Sequence, residues 1–224
     1  MEEIRLIEVK ENILSDNNAK ANELRDRLRS TGTFMLNLMS SPGSGKTSLI
    51  LRTIEALKDE LCLGVIEADI ESTVDSEKVA SRGIKVVQLK TGGFCHLDAT
   101  MVSEGLDVLG PQDLDLVIIE NVGNLVCPAE FDTGAIKNAM ILSIPEGDDK
   151  PLKYPLMFTV CDVLVVNKID TMGVFDFDLR AFEKRVRALN QNIDIVMTSC
   201  KTGEGINSWV NWIRNEQKAF STLA

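Results

Sequence analysis

The chain has 224 residues and a net charge of −10, with 44% hydrophobic and 26% charged residues. This length suits one domain with enough apolar material for a core. The acidic balance argues against nucleic acid as the main partner, because a phosphate backbone calls for a surplus of Lys and Arg.

Membrane insertion and secretion are also not expected. The longest apolar stretches have the length of buried strands, and the N-terminus lacks a basic start followed by an apolar run. The five cysteines are odd in number and widely scattered, which is typical of reduced thiols rather than a disulfide framework. We therefore expect a cytoplasmic protein that binds neither membrane nor nucleic acid.

The first predicted element is a helix over residues 15–30, capped by Ser15 or Asp16 and ended by Gly32. From this helix we predict an N-terminal helical arm over residues 1–32, packed on a domain over residues 33–224. Strands are predicted at 34–39, 63–66, 84–89, 114–119, 140–144, 163–166 and 193–198. Helices are predicted at 47–60, 76–81, 96–109, 178–189 and 206–218.

This alternation of strands and helices predicts an α/β fold with a mostly parallel central sheet and helices on both faces. The strands are apolar without alternation, as expected for a sheet that is covered on both sides.

A phosphate-binding loop is predicted directly after the strand at 34–39. Residues 40–47 read Ser-Ser-Pro-Gly-Ser-Gly-Lys-Thr, which matches the P-loop signature except that Ser40 takes the place of the first glycine. Backbone N–H groups at a helix N-terminus form a cradle for anions, and the strand–loop–helix setting argues against an incidental Gly/Ser-rich turn. We predict that the Lys46 side chain reaches the β- and γ-phosphates. The phosphate-binding set is Gly43, Ser44, Gly45, Lys46, Thr47 and Ser48.

A guanine-binding motif follows the strand at 163–166, where the sequence reads Asn-Lys-Ile-Asp from Asn167 to Asp170. One carboxylate can accept hydrogen bonds from guanine N1–H and from the exocyclic amino group, and adenine would leave it unpaired. We expect Lys168 to lie against the base. A charged turn is the alternative, although strand carboxyl ends are where ligands bind in such folds. A second loop with Ser199, Cys200 and Lys201 is expected to contact the guanine edge.

Acidic residues at two strand ends are candidates for handling Mg²⁺. Asp69 and Asp75 follow the second predicted strand, and Glu120 ends the fourth. Carboxylates beside a P-loop can bind Mg²⁺ or its water ligands, although Asp69 and Asp75 could instead cap helices. The predicted magnesium set is Thr47, Asp69, Asp75 and Glu120.

Slow hydrolysis is expected from the same region. Gly123 gives the segment after Glu120 the freedom to approach a γ-phosphate and to move on hydrolysis. No residue that would orient the attacking water and no arginine finger can be assigned. We assign the catalytic roles to Lys46, Asp69 and Glu120.

A candidate transition-metal site combines Cys95, His96 and Cys127, of which His96 is the one histidine of the chain. Two thiolates and one imidazole suit Zn²⁺ or Ni²⁺. The spacing is not that of a zinc finger, so buried cysteines and an unrelated surface histidine remain an equal alternative. Three ligands leave a fourth position for solvent or for a second subunit.

Several of these motifs, in this order, resemble the HypB family of GTPases that assist nickel insertion into [NiFe]-hydrogenase. The matching segments are the loop at 40–47, Cys-His-Leu-Asp-Ala at 95–99, Glu-Asn-Val-Gly-Asn-Leu-Val-Cys-Pro at 120–128, Asp-Asp-Lys-Pro-Leu-Lys-Tyr-Pro at 148–155 and Asn-Lys-Ile-Asp at 167–170. Together they extend the resemblance from about Ile13 to Trp212.

The resemblance implies a SIMIBI-class P-loop GTPase that binds GTP or GDP with Mg²⁺ and forms a homodimer linked to GTP and metal. It implies that Cys95, His96 and Cys127 bind Ni²⁺ or Zn²⁺, and that Lys153 lies near the dimer interface and the nucleotide. The implied partners are other hydrogenase maturation proteins and the hydrogenase large subunit. A chaperone of cobalamin-dependent enzymes and a nucleotide-gated binding module with negligible turnover are the alternatives.

Overall fold

The structure is a computed structural model that describes residues 9–69 and 74–223. Seven parallel strands form one sheet in this described part of the chain, in the order β3-β2-β4-β1-β5-β6-β7. The strands are β1 (Phe34–Ser40), β2 (Leu63–Asp69), β3 (Lys85–Lys90), β4 (Leu116–Glu120), β5 (Lys137–Ser143), β6 (Val163–Asn167) and β7 (Asp194–Met197).

Helices connect the strands and cover both faces of the sheet. They are α1 (Val9–Thr31), α2 (Lys46–Leu57), α3 (Val74–Ala80), α4 (Ala99–Leu109), α5 (Cys127–Glu130), α6 (Lys150–Lys153), α7 (Pro155–Val160), α8 (Leu179–Leu189) and α9 (Ile206–Leu223). Among the described residues, no helix combines the length and the apolar character needed to cross a bilayer.

The two faces of the sheet bury different sets of helices. Leu36 and Leu38 of β1 point to the face covered by α2 and α9, where Trp209 is buried. Met35 points to the opposite face, which α1 and α4 cover, and Met39 packs there against the layer of α7 and α8. Every residue of β1, β4 and β6 is buried, which explains why these strands lack alternation.

The predicted fold class and the seven predicted strands are confirmed, with end points that differ by up to three residues. The predicted cap of the first helix is wrong, because Ser15 and Asp16 lie inside α1. Gly32 does end it, with a positive φ of 70°. The division into an arm over residues 1–32 and a domain over 33–224 stays a prediction.

The helix predicted from His96 begins later than expected. Asp98 is the N-cap of α4, and its carboxylate accepts a hydrogen bond from the Met101 backbone N–H at 2.8 Å. The preceding segment with Cys95 and His96 is therefore loop, which leaves both side chains free to turn toward the strand ends. The short helices α5, α6 and α7 were not predicted.

Candidate nucleotide and metal sites

The phosphate-binding loop connects β1 to α2 at the carboxyl edge of the sheet. Gly45 has a φ of 106°, and a Cβ atom there would lie 2.5 Å from Asn167 Nδ2, so this position needs glycine. The N-terminus of the 12-residue helix α2 follows at once and presents its first-turn backbone N–H groups. This loop has the local geometry of an anion site.

The last two side chains of the loop, Lys46 and Thr47, contact polar partners. Lys46 Nζ donates to Ser40 Oγ at 2.9 Å, so the ammonium group lies over the loop. Thr47 Oγ1 donates to Glu120 Oε1 at 2.9 Å, and Glu120 is only 5% exposed. A hydroxyl and a carboxylate held this close are hard oxygen ligands of the kind that Mg²⁺ prefers.

The other two members of the predicted magnesium set are Asp69 and Asp75. Asp69 is the last residue of β2, where its backbone pairs with Lys90 of β3. The side chains of Asp69 and Asp75 fall outside the described part of the chain. Their predicted roles therefore stay predictions.

A cavity of about 350 Å³ lies beside the phosphate loop, where a base would follow the phosphates. Gly45 and Ser48 line one side of it, and the Asn-Lys-Ile-Asp segment and the loop after β7 line the others. Thr171 also lines this cavity, although no sequence motif singles it out. Of the second predicted loop, Cys200 and Lys201 line the cavity and Ser199 is not among the lining residues. The predicted contact of this loop with guanine stays a prediction.

Asn167, at the end of β6, holds the three loops of this pocket together. Its Nδ2 donates to the Ser44 carbonyl oxygen at 3.0 Å, and its Oδ1 accepts from the Cys200 backbone N–H at 3.2 Å. Lys168 adopts a left-handed backbone conformation with a φ of 62°, and its Nζ donates to the Gly43 carbonyl oxygen at 2.7 Å. The Lys168 stem thus crosses from the base pocket to the phosphate loop.

Asp170 is an exposed residue at the protein surface, but only 17% of its side chain is exposed. Ser199 Oγ donates to Asp170 Oδ1 at 2.6 Å, and Lys201 Nζ lies 3.9 Å from Oδ2. These two contacts fix the orientation of the carboxylate at the mouth of the cavity. An oriented acceptor pair of this kind fits the N1–H and amino groups of guanine.

The predicted transition-metal ligands lie together, although they come from two loops. Cys95 Sγ lies 2.8 Å from Cys127 Sγ and 3.8 Å from His96 Nδ1, and the three ligand atoms all lie within 4.8 Å of one another. The His96 ring stacks on Phe131, with ring centroids 3.8 Å apart. The donor types suit one ion such as Zn²⁺ or Ni²⁺, and the two sulfurs would have to move apart to bind it at ordinary Zn–S distances.

The environment of these ligands affects their protonation. Burial lowers the pKa of His96 and favours the neutral imidazole that binds metals, against the opposing charges of Asp98 and Glu130. The sulfur contact with Cys95, and then burial, raise the pKa of the Cys127 thiol. A metal ion bound at this site would therefore have to displace the proton of the Cys127 thiol.

Lys153 lies at the end of α6, on the surface. Its ammonium group pairs with Asp149 Oδ2 at 2.5 Å, and its side chain is 58% exposed. Lys153 is not among the described residues that line the base cavity.

One buried polar residue at this edge was missed by the sequence reasoning. Asn121 follows Glu120 directly and is fully buried. Its side chain bonds to the backbone of the metal-ligand loop and to Asn37 in β1. The signal available in the sequence was the polar Asn37 inside an otherwise apolar strand.

The sheet order, the phosphate loop and the base pocket together define a P-loop nucleotide-binding protein. A model of the family described as CobW/HypB/UreG, nucleotide-binding domain, matches residues 34–197. Hydrogenase maturation factor HypB of Azotobacter vinelandii is 44% identical over 213 residues, which cover 95% of this chain and 70% of that protein.

Solved structures give the same relationship. The crystal structure of HypB from Helicobacter pylori in complex with nickel has a TM-score of 0.86 at 36% identity, and the match covers 91% of this chain and 96% of that one. The signal recognition particle receptor FtsY from Elizabethkingia anophelis in complex with GDP has a TM-score of 0.54 at 16% identity, with 85% and 70% covered, which shows a shared fold alone. The fold is that of the SIMIBI-class P-loop GTPases. The chain belongs to the HypB family of hydrogenase maturation factors.

Proposed function

We propose that this protein is a GTP-hydrolysing metallochaperone that assists nickel insertion into [NiFe]-hydrogenase in the cytoplasm. The nucleotide and Mg²⁺ favour a homodimer, and the nucleotide state controls a site for Ni²⁺ or Zn²⁺. The observation that carries the proposal is the Cys95–His96–Cys127 cluster, which lies on loops adjoining the phosphate site. Other hydrogenase maturation proteins and the hydrogenase large subunit are the proposed partners.

The nucleotide half of the proposal rests on side chains with separate tasks. Lys46 neutralises the β- and γ-phosphates, and Thr47 and Glu120, together with Asp69 and Asp75, hold Mg²⁺. Asp170 selects guanine. Turnover is slow, with Lys46, Asp69 and Glu120 in the catalytic roles, as suits a switch that resets a complex.

The metal half rests on the incomplete ligand set. Two sulfurs and one imidazole leave a position open in a four-coordinate site, which either solvent or a second subunit completes. An ion held by three protein ligands can be passed on by ligand exchange, whereas a closed four-ligand site retains its metal. Nickel is in this scheme the cargo of the protein.

Exchange of both Cys95 and Cys127 for Ala tests the metal site. We expect loss of stoichiometric Ni²⁺ and Zn²⁺ binding in calorimetric titrations, because one imidazole alone remains, while the affinity for GTP stays within about twofold. Cys62→Ala is the matched control, since that cysteine is exposed and lies just before β2. Undiminished metal affinity in the double variant would refute the assignment.

Hydrolysis is tested by single-turnover release of phosphate from GTP, with and without Ni²⁺. We expect slow release by the intact protein and none by Lys46→Ala, in which the phosphates lose their cation. Tight GTP binding without any release over hours would instead support a nucleotide-gated binding module.

A further inference from the structure

We propose that Asn121 is a positioning residue that transmits the state of the nucleotide site to the Cys95–His96–Cys127 site. This inference deepens the proposed function and rests on it. It assigns the communication between the two sites to one buried amide side chain.

The oxygen atom of Asn121 joins the two loops. Asn121 Oδ1 accepts from its neighbour, the Val122 backbone N–H, at 2.9 Å, and from the Leu97 backbone N–H at 3.2 Å. Leu97 follows His96 directly, so this bond fixes the backbone that carries two of the three metal ligands. One acceptor thereby ties the loop after β4 to the loop before α4.

The nitrogen atom of Asn121 anchors the amide to the sheet. Asn121 Nδ2 donates to Asn37 Oδ1 at 3.1 Å, and Asn37 Nδ2 donates to Asn138 Oδ1 at 3.0 Å. This row of amides crosses from β4 through β1 to β5, and it leaves Asn121 one orientation in which all its bonds are made. A half-satisfied buried network is costly, so the oxygen is held facing the two loops.

The nucleotide site contacts the same short loop at two points. Glu120 accepts a hydrogen bond from Thr47, and a Cβ atom on Gly123 would lie 3.0 Å from Pro42 Cγ. Asn121 lies between these contacts. A movement of this loop when Mg²⁺ and the γ-phosphate bind or leave must therefore either carry Leu97 with it or break the bond to Asn121.

The C-terminal end of the loop after β4 leads to the third proposed ligand, Cys127. Asn124 Oδ1 accepts from the Val126 backbone N–H at 2.9 Å, just before Cys127. Asn124 Nδ2 also donates to the Cys95 carbonyl oxygen, in a long contact of 3.5 Å. A loop movement that keeps the Asn121–Leu97 bond moves the two ligand-bearing loops together, and one that breaks this bond changes their separation. Sub-ångström shifts of this kind matter for a metal, because ligand distances are narrowly defined.

The test compares the affinity for Ni²⁺ in the presence of GDP with that in the presence of a non-hydrolysable GTP analogue, both with Mg²⁺. We expect the two Ni²⁺ affinities of the intact protein, one with GDP and one with the GTP analogue, to differ by a ratio of about fivefold or more. Asn121→Ala removes all bonds of the amide, and we expect the ratio to fall below about twofold. Asn121→Ser is the milder variant, because its hydroxyl can still bond to Val122 but is too short to reach Leu97.

The control is Asn37→Ala, which removes the neighbouring buried amide of the same row. The Asn37 side chain bonds to Asn121 and Asn138 and not to the backbone of Leu97. We expect a lower melting temperature and an affinity ratio between those of the intact protein and Asn121→Ala, because the bonds of Asn121 Oδ1 remain but the anchor at Nδ2 is lost. A merely structural role of Asn121 would instead weaken Ni²⁺ binding equally with both nucleotides. The inference is overturned if the Asn121 variants keep the ratio of the intact protein, or if Asn37→Ala loses it equally. If the intact protein itself shows no ratio, nucleotide control of the metal site fails, which is a failure of the proposed function.

Discussion

Asp170 is the residue whose chemistry most narrowly defines the nucleotide. Its carboxylate is held by the Ser199 hydroxyl and stands at the mouth of the base cavity. A carboxylate offers two acceptors, and guanine offers two adjacent donors. A base without these donors leaves a shielded acceptor unpaired, which is a strong basis for discrimination.

We predict that Asp170→Asn exchanges guanine for xanthine. The new amide keeps one acceptor for N1–H but presents a donor to the position of the guanine amino group, where xanthine carries a carbonyl oxygen. Affinity for GTP should fall by at least about 100-fold, and affinity for XTP should rise above it. Competition binding with a fluorescent nucleotide measures both values.

Ser199→Ala serves as the control for that exchange. It removes the hydroxyl that orients the carboxylate but leaves both acceptors, so binding should weaken while GTP stays preferred over XTP and ATP. Equal affinities of the intact protein for ATP and GTP would contradict the assignment of Asp170 altogether.

Asp170, Cys95, His96 and Cys127 could be singled out from the sequence, because each belongs to a local motif or is a rare donor type. The structure brings the two cysteines and the histidine together, and the roles of all four stay predictions. The role of Asn121 was not predictable in this way. Its partner Asn37 is 84 residues away and becomes a neighbour only because β4 pairs with β1. Polar networks that depend on strand order cannot be derived from sequence spacing.

At the scale of elements, the loop after β7 is shaped by two glycines with different surroundings. Gly203 has a φ of 85°, and a Cβ atom there would have open space around it to 4 Å among the described residues, its chain neighbours aside. Gly205 has a φ of 72°, and a Cβ atom there would lie 1.8 Å from the Met197 carbonyl oxygen. The pair therefore separates the cost of the left-handed backbone from the cost of a steric clash.

We predict that Gly203→Ala lowers the free energy of unfolding by about 1–2 kcal/mol, the usual cost of a left-handed alanine. Gly205→Ala should cost more than about 3 kcal/mol, because the loop must move away from β7. Since that loop carries Ser199 and Cys200, Gly205→Ala should also weaken GTP binding. Urea unfolding and nucleotide titration measure the two effects, and equal losses in both variants would contradict the argument.

The strands were predictable because each of the seven contains an apolar run of strand length. Several of them also include polar residues, as β3 and β5 do, and the apolar runs still locate the strands to within three residues. The short helices α5, α6 and α7 each have proline at a first-turn position and only four to six residues, so no helical period could develop. The start of α4 was misplaced because the N-cap Asp98 lies inside an apparently continuous amphipathic pattern.

At the scale of the whole molecule, the charge of the chain bears on dimerisation. Two copies that each carry a net charge of −10 repel one another, and bound GTP adds negative charge at the nucleotide edge. A dimer that forms with GTP therefore needs cations at the interface. Mg²⁺, the transition metal and Lys153 are the candidates that the proposed function supplies.

We propose that Lys153 acts on a second copy rather than on its own nucleotide. The pair with Asp149 raises the pKa of Lys153, and the ammonium group is charged at physiological pH with or without this pair. Exposed pairs of this kind contribute little to stability, so Lys153 can exchange Asp149 for an anionic group of a partner at small cost.

We predict that Lys153→Ala weakens association of the GTP-analogue complex by about tenfold or more while the affinity of the monomer for the nucleotide stays within about twofold. Sedimentation equilibrium at several protein concentrations, with GDP and with the analogue, measures the association. Asp149→Ala is the matched control, because it breaks the same pair but keeps the cation. If Lys153 acts only through Asp149, the two variants will associate alike, and if it acts across the interface, Asp149→Ala will associate as well as the intact protein. Added salt should favour association of Lys153→Ala more than that of the intact protein, because in the variant it screens only the repulsion between two acidic copies, whereas in the intact protein it also screens the attraction made by Lys153.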